Sequence, residues 1–202
     1  MTGAYRLSRN SGAERKRSYV ERIDKIIASQ GQYSRKEVKA LIAKGRVAVD
    51  GKTVKSSSDK ADPAASQIAI DGKTLEFKRN IYLMLNKPKG YVSATEDRDH
   101  PTVLELVPQE YRGRDLFPAG RLDRDTTGLM IITDDGVLAH NILAPKKHVP
   151  KLYHVEIDIP VTDAMQEEFR KGIVLNDGVC KAAELVQTGP RTALVTLQEG
   201  RY

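Results

Sequence analysis

Residues 120–129, GRLDRDTTGL, gather arginine side chains, two carboxylates and two hydroxyls between glycines that free the backbone. The apolar run Leu129, Met130, Ile131, Ile132 follows, then Thr133, Asp134, Asp135 and Gly136, a pattern of loop, buried strand and turn. A loop set against a strand holds reactive groups on a rigid scaffold while leaving them accessible. Two carboxylates at i and i+2, Asp123 and Asp125, can bind a divalent cation through outer-shell water, act as a nucleophile and acid/base pair, or cap backbone amides. Asp123 is the stronger candidate for chemistry, and Asp125 and Thr126 are expected to shape the loop.

The elements around this loop belong to a chain whose composition narrows its class. With 202 residues, 40% hydrophobic and 30% charged, it reads as a soluble globular protein of one large or two small domains. The longest apolar runs, such as residues 81–85, fall far short of the roughly 20 residues that span a bilayer. The first residues are basic but have no apolar segment, so no secretory signal is read and a cytoplasmic protein is expected. One cysteine, Cys180, and four scattered histidines, His100, His140, His148 and His154, offer no zinc ligand set. The charge is segregated. Residues 1–60 carry 15 Lys and Arg against 6 Asp and Glu, and the remainder 18 against 21, so a net +6 divides into +9 and −3. That asymmetry suits an N-terminal module with a polyanionic partner, although a solvated basic helix face would look the same.

Residues 1–17 lack periodicity and read as a flexible extension. Ile23, Ile26 and Ile27 recur at helical spacing up to Gly31. Ser34 and Glu37 then form a capping box ahead of a second helix with the buried stripe Val38, Leu41 and Ile42. Val47 and Val49 alternate into the turn Asp50-Gly51, and IAIDGKTL at 68–75 repeats VAVDGKTV at 47–54 in type, giving two strand-turn units. Residues 59–66, with Pro63, read as a loop. A strand over Tyr82, Leu83, Met84 and Leu85 runs into a turn at Asn86, Pro88 and Gly90, where Lys87 and Lys89 are either solvated or in contact with substrate. Residues 102–107 could open a short helix, and residues 192–197 alternate as a strand.

The stretch SRKEVKALIAKGRVAVDGK, with the helix pair and hairpin of residues 20–76, resembles the small αL-type RNA-binding module of a ribosomal small-subunit protein and of many RNA-modifying enzymes. The resemblance implies that Arg35, Lys36, Lys39, Lys44 and Arg46 face RNA phosphates, contacts that anchor without reading sequence. The spacing Asp123, Asp125, Thr127 also fits the DxDxT of haloacid-dehalogenase-like phosphotransferases, but there the apolar strand comes before the motif, and here it comes after. The whole decamer resembles the catalytic motif of pseudouridine synthases. MLNKPKGY, DHPTVLE, GLMIITDDG, KLYHVEI and TLQEGRY resemble that family in the same order, and the likeness is closest to its branch that modifies ribosomal RNA, the 16S enzyme in particular.

That resemblance implies isomerisation of a uridine to pseudouridine with no cofactor and no metal. Asp123 would be the nucleophile or base, Arg121 would fill the space of the extruded base, and Tyr153 would stack on the uracil. His148 and His154 have no role in such chemistry. The implied partner is ribosomal RNA or a ribosome assembly intermediate, bound by a monomer and away from membranes. The expected fold is α+β, a small helix-pair and β-hairpin RNA-binding module followed by a mixed, mainly antiparallel sheet catalytic domain with flanking helices. Its expected divisions are 1–19 as a basic extension, 20–76 as the module and 80–202 as the catalytic domain. In the family the residues after GRY, roughly HQVKRM, bring a cation to the aspartate and an apolar side chain to the target base. The expectation is therefore a truncated C-terminus, an unpaired sheet edge, and less activity and stability than an extended chain has. The rival expectation is an RNA-binding scaffold whose catalytic domain is inactive.

Overall fold

The structure, a computed structural model, describes residues 4–6, 20–144, 147 and 149–198. They belong to two compact units, Met1–Gly136 and Val137–Tyr202.

In the first unit, Ile23, Ile26 and Ile27 line the inner face of the helix Ile23–Ala28 and are at most 1% exposed. The helix Arg35–Ala43 begins at Ser34, whose hydroxyl accepts from the Glu37 amide while the Glu37 carboxylate accepts from the Ser34 amide at 2.7 Å. This is the reciprocal cap that the sequence announced. Val38, Leu41 and Ile42 are buried on one face and pack with the isoleucines against Val47, Val54, Ile68 and Ile70. Each such side chain contributes about 1.5–3 kcal/mol when fully buried. The strands Val47–Val49, Lys52–Thr53, Ile68–Ile70 and Lys73–Thr74 form one antiparallel sheet with the two longer strands paired at its centre. Both corners have successive positive φ values, 48° and 77° at Asp50-Gly51 and 51° and 75° at Asp71-Gly72, the backbone that two-residue hairpins require.

Around a second core, the strand Tyr82–Lys87 pairs with Gly128–Thr133, setting Leu85 opposite Met130 and Leu83 opposite Ile132. Ile81, Leu83, Leu85, Met130 and Ile132 alternate inward onto Val103, Val107 and Leu116. Phe117–Pro118 borders one side of this sheet and Ala4–Arg6 the other. The last pairing corrects part of the expectation of a flexible extension, because backbone hydrogen bonding along a strand edge needs no side-chain periodicity. The other residues of that extension, and the terminal GRY, lie outside the described residues. Residues 102–107 hold the 3₁₀ helix Val103–Leu106, where the Glu105 carboxylate accepts from the Thr102 amide at 2.8 Å. The turn expected after Thr133 is only a bend before the helix Gly136–Leu143, which is too short for its apolar period to stand out in sequence.

Polar contacts join the two cores of this unit. The buried Arg114 guanidinium pairs with Asp134 at 2.6 Å and donates to the carbonyls of Lys78 at 3.1 Å and Arg79 at 3.0 Å. The Gln30 side-chain oxygen accepts from the Lys78 amide at 2.8 Å. Gly113 lies so close to Gly31 that a Cβ would sit 1.9 Å from the Gly31 carbonyl oxygen, so no larger residue fits there. The Tyr82 hydroxyl donates to Asp135 at 2.7 Å, and burial together with that carboxylate pushes its pKa up to about 12.

In the second unit, Lys151–Glu156, Thr192–Leu197 and Glu184–Gln187 form an antiparallel sheet with Thr192–Leu197 in the middle. The strand expected over 192–197 is thus present, and both of its sides are paired, by Lys151–Glu156 and by Glu184–Gln187. The helix Asp163–Lys171 is capped by the Thr162 hydroxyl and brings Phe169 onto the core of Val161, Leu185, Ala193 and Val195. The fold is α+β. All strand pairings among the described residues are antiparallel, and the parallel element is a single bridge between Val92 and Thr102.

The buried carboxylate of the first core gives a pH test. Asp24 is 1% exposed and receives Nε and Nη2 of Arg22 at 3.0 and 2.9 Å, which holds its pKa below the ordinary 3.8 despite desolvation. A lowered folded-state value means stability that is present above the unfolded value and lost as pH falls through the folded one. Asp24→Asn is expected to lower the urea midpoint at neutral pH, with the gap from the parent closing as the pH drops below about 3.8, measured by denaturant titrations across that range.

Candidate active site

The loop before Gly128–Thr133 takes its shape from a lysine. Strand alternation that turns Leu83 and Leu85 inward turns Lys87 inward as well, and it is 0% exposed. Its ammonium donates to the carbonyl oxygens of Asp123 at 2.9 Å, Arg124 at 3.0 Å and Thr126 at 2.9 Å, with Pro88 O more distant at 3.2 Å. An ammonium has three N–H donors, so the three loop carbonyls satisfy it. Burial pushes the Lys87 pKa below the usual lysine value, and the carboxylates of Asp125 and Asp123 oppose that shift. Lys87 is therefore neither solvated nor exposed to a substrate, which corrects both sequence alternatives. The available signal was the period of two running from Leu83 through Leu85 to Lys87; the turn signals at Pro88 and Gly90 obscured it.

Around this ammonium the loop turns outward. The Thr126 amide donates to Asp123 O at 3.1 Å and the Gly90 amide to Arg124 O at 2.9 Å. Gly120 and Gly128, at φ 123° and 130°, bracket the loop in backbone that favours glycine. Leu122 packs toward the second core, while Arg121, Asp123, Arg124 and Asp125 are exposed. The Arg124 guanidinium lies 3.7 Å from the Asp125 carboxylate and 3.5 Å from the His100 ring. What the arrangement can do is present two carboxylates, Asp123 and Asp125, to a ligand while the carbonyl of Asp123 is held by the buried ammonium.

The remaining residues singled out from sequence lie elsewhere. Arg35, Lys36, Lys39 and Lys44 are exposed on the second helix and its C-terminal end. Arg46 is exposed too, but its guanidinium forks onto Asp71 at 2.6 and 2.5 Å. Tyr153 belongs to the second unit, half-buried on Lys151–Glu156 and opposite Val195. His154 is exposed, and His148 lies outside the described residues. Among the described residues, no group of three His, Cys, Asp or Glu side chains is placed to hold a metal ion.

A family model described as RNA pseudouridylate synthase matches residues 81–201, more than half of the chain. The chain belongs to this family. An S4 domain model matches residues 21–65, the segment of the helix pair and first hairpin. Ribosomal small subunit pseudouridine synthase A of Escherichia coli K12 is 42% identical over 183 residues, covering 90% of this chain and 79% of that protein. An RNA pseudouridine synthase of Bacillus subtilis 168, described as uncharacterized, is 39% identical over 186 residues, covering 90% of this chain and 78% of its own length. A pseudouridylate synthase crystal structure superposes with TM-score 0.57 at 34% identity, covering 90% of this chain and 78% of that one. In this pseudouridine synthase the loop at 120–128 and its lysine both fall inside the segment that the family model matches.

Removing the ammonium should expose its role. Lys87→Met takes the charged donor from three inward-facing carbonyls, of which Asp123 O keeps the Thr126 amide and Arg124 O the Gly90 amide, and is expected to destabilise the chain by about 1–3 kcal/mol, read from denaturant unfolding. Amides of residues 123–127 should also exchange hydrogen faster than in the parent, and unchanged exchange there would contradict the lysine's hold on the loop.

Proposed function

We propose that the chain converts a uridine of small-subunit ribosomal RNA to pseudouridine, with Asp123 as the nucleophile or base that starts the reaction. The observation that carries this reading is an exposed aspartate on a loop whose backbone is fixed by a buried lysine, inside the pseudouridylate synthase segment. The choice of small-subunit RNA rests on the named function of the relatives at 42% identity.

The reaction breaks the bond from uracil N1 to ribose C1′, turns the base, and makes a bond from C5 to C1′. N1 gains a proton and C5 loses one, so the change is redox-neutral and this reading needs neither cofactor nor metal. A carboxylate is ionised near neutral pH and leaves readily after bonding to carbon, which suits attack on the ribose or on the base, or formation of a glycal. A uridine within folded RNA must first leave the stack. Arg121, exposed two residues before Asp123, would occupy the vacated space, and Tyr153 would stack on the uracil while it turns.

The RNA is held by the module over residues 20–76 through Arg35, Lys36, Lys39, Lys44 and Arg46, with the catalytic domain over 80–202. Arg46 shares its charge with Asp71 and so contributes less than the lysines. The protein is read as a cytoplasmic monomer acting on ribosomal RNA or an assembly intermediate.

With 16S RNA labelled by tritium at uracil C5, the chain is expected to release tritium to water, and Asp123→Ala to release none above the level without enzyme. Tight binding by the parent with no release, or equal release by Asp123→Ala, would reject the catalytic reading, and labelled 23S RNA in a parallel reaction decides the substrate. For the module, Lys36→Ala and Lys39→Ala are each expected to reduce the slope of log affinity against log salt by roughly 0.7–0.9 while kcat stays unchanged. An unchanged slope by filter binding would remove those lysines from the phosphate contact.

A further inference from the structure

The lysine accounts for only one side of the reactive loop. Lys87 and the Gly90 amide act on carbonyls of Asp123, Arg124 and Thr126, all at or after the aspartate. On the other side stands Leu122. Its amide belongs to the peptide shared with Arg121, and its carbonyl to the peptide shared with Asp123. Both groups meet the same side chain: the Ser93 hydroxyl donates to Leu122 O at 2.6 Å and accepts from Leu122 N at 3.0 Å. A hydroxyl suits this because it carries one donor and two acceptor sites on a single atom.

Ser93 is itself held against the core. The neighbouring Val92 amide donates to Pro101 O at 3.0 Å, and Val92 O accepts from the amide of the fully buried Val103 at 3.0 Å. Rigid packing around Val103 is thereby transmitted through Val92 and Ser93 to the two peptides that carry Arg121 and Asp123. We propose that Ser93 is a positioning residue for the isomerisation, fixing the backbone before Asp123 as Lys87 fixes the backbone after it. The proposal rests on the reading of Asp123 as the reacting group.

Without the hydroxyl, Leu122 remains anchored by its side chain at the second core, so the fold persists while the loop gains freedom. A displacement of about 1 Å at a reacting group can cost on the order of a hundredfold in rate, so Ser93→Ala is expected to lower kcat about tenfold to a hundredfold. KM for RNA should stay within about twofold, because the hydroxyl makes no contact that serves binding alone. Ser93→Thr keeps the hydroxyl and should retain most of kcat. Ser93→Val has the shape of threonine without the hydroxyl and should fall with the alanine variant. Each variant is assayed by tritium release over a range of RNA concentrations, with thermal unfolding measured alongside.

Equal kcat for Ser93→Val and Ser93→Thr, or a loss confined to KM, overturns the proposal. Failure of both Ser93→Ala and Ser93→Val to fold overturns it as well, since the serine would then hold the fold rather than the loop. Asp123→Asn, run in parallel, separates the two layers. If it is inactive while valine and threonine at position 93 are equivalent, only the serine assignment fails. If Asp123→Asn turns over like the parent, the reading of Asp123 fails and takes the serine assignment with it.

Discussion

A positive charge withdrawn from water governs the geometry of this protein's candidate site. An ammonium without solvent needs oxygen partners in its place, and at Lys87 these are carbonyls from one short stretch of chain. Three carbonyls from residues 123–126 can converge on one nitrogen only if the chain curls around it. That curl makes the loop and leaves the Asp123 side chain outside it. Strand register places the lysine, the lysine shapes the loop, and the loop presents the carboxylate.

The same device recurs at Arg114. Its guanidinium is buried among the Lys78 and Arg79 carbonyls and the Asp134 carboxylate, where the core of the helix pair gives way to the core of the second sheet. Each core is built mainly of apolar side chains, and the junction between them is polar. Directional hydrogen bonds and the close approach of Gly113 to Gly31 fix an orientation more narrowly than apolar contact does. The S4 segment and the loop at 120–128 accordingly lie in one compact unit.

Membership of the pseudouridylate synthase family and the local geometry constrain different things. The family gives the class of reaction. Geometry distinguishes residues within the matched segment: Asp123 and Asp125 are both exposed, but Asp123 is the one whose own carbonyl is gripped by the buried ammonium. Arg46 shows the converse, since a residue with the right charge at the right position on the basic module proves to be forked onto Asp71.

The sequence by itself determined the local elements. Isoleucines at helical spacing, a Ser-Glu cap and two Asp-Gly corners each act over a few residues, where steric limits and short hydrogen bonds decide the backbone without help from distant chain. The strand at Thr192–Leu197 was legible for the same reason, as was the loop with its candidate aspartate. What lay beyond reach depends on partners far along the chain. Thr192–Leu197 is a central strand because Lys151–Glu156 and Glu184–Gln187 flank it, and Ala4–Arg6 is a strand because Tyr82–Lys87 offers it an edge. Lys87 read as solvated or in contact with substrate, and Ser93 carried no signal in the sequence. Only the tertiary structure made them the two holds on the loop at 120–128, because the charge, the hydroxyl and the backbone groups they satisfy lie 29 to 39 residues apart and meet through strand pairing and the packing of a core.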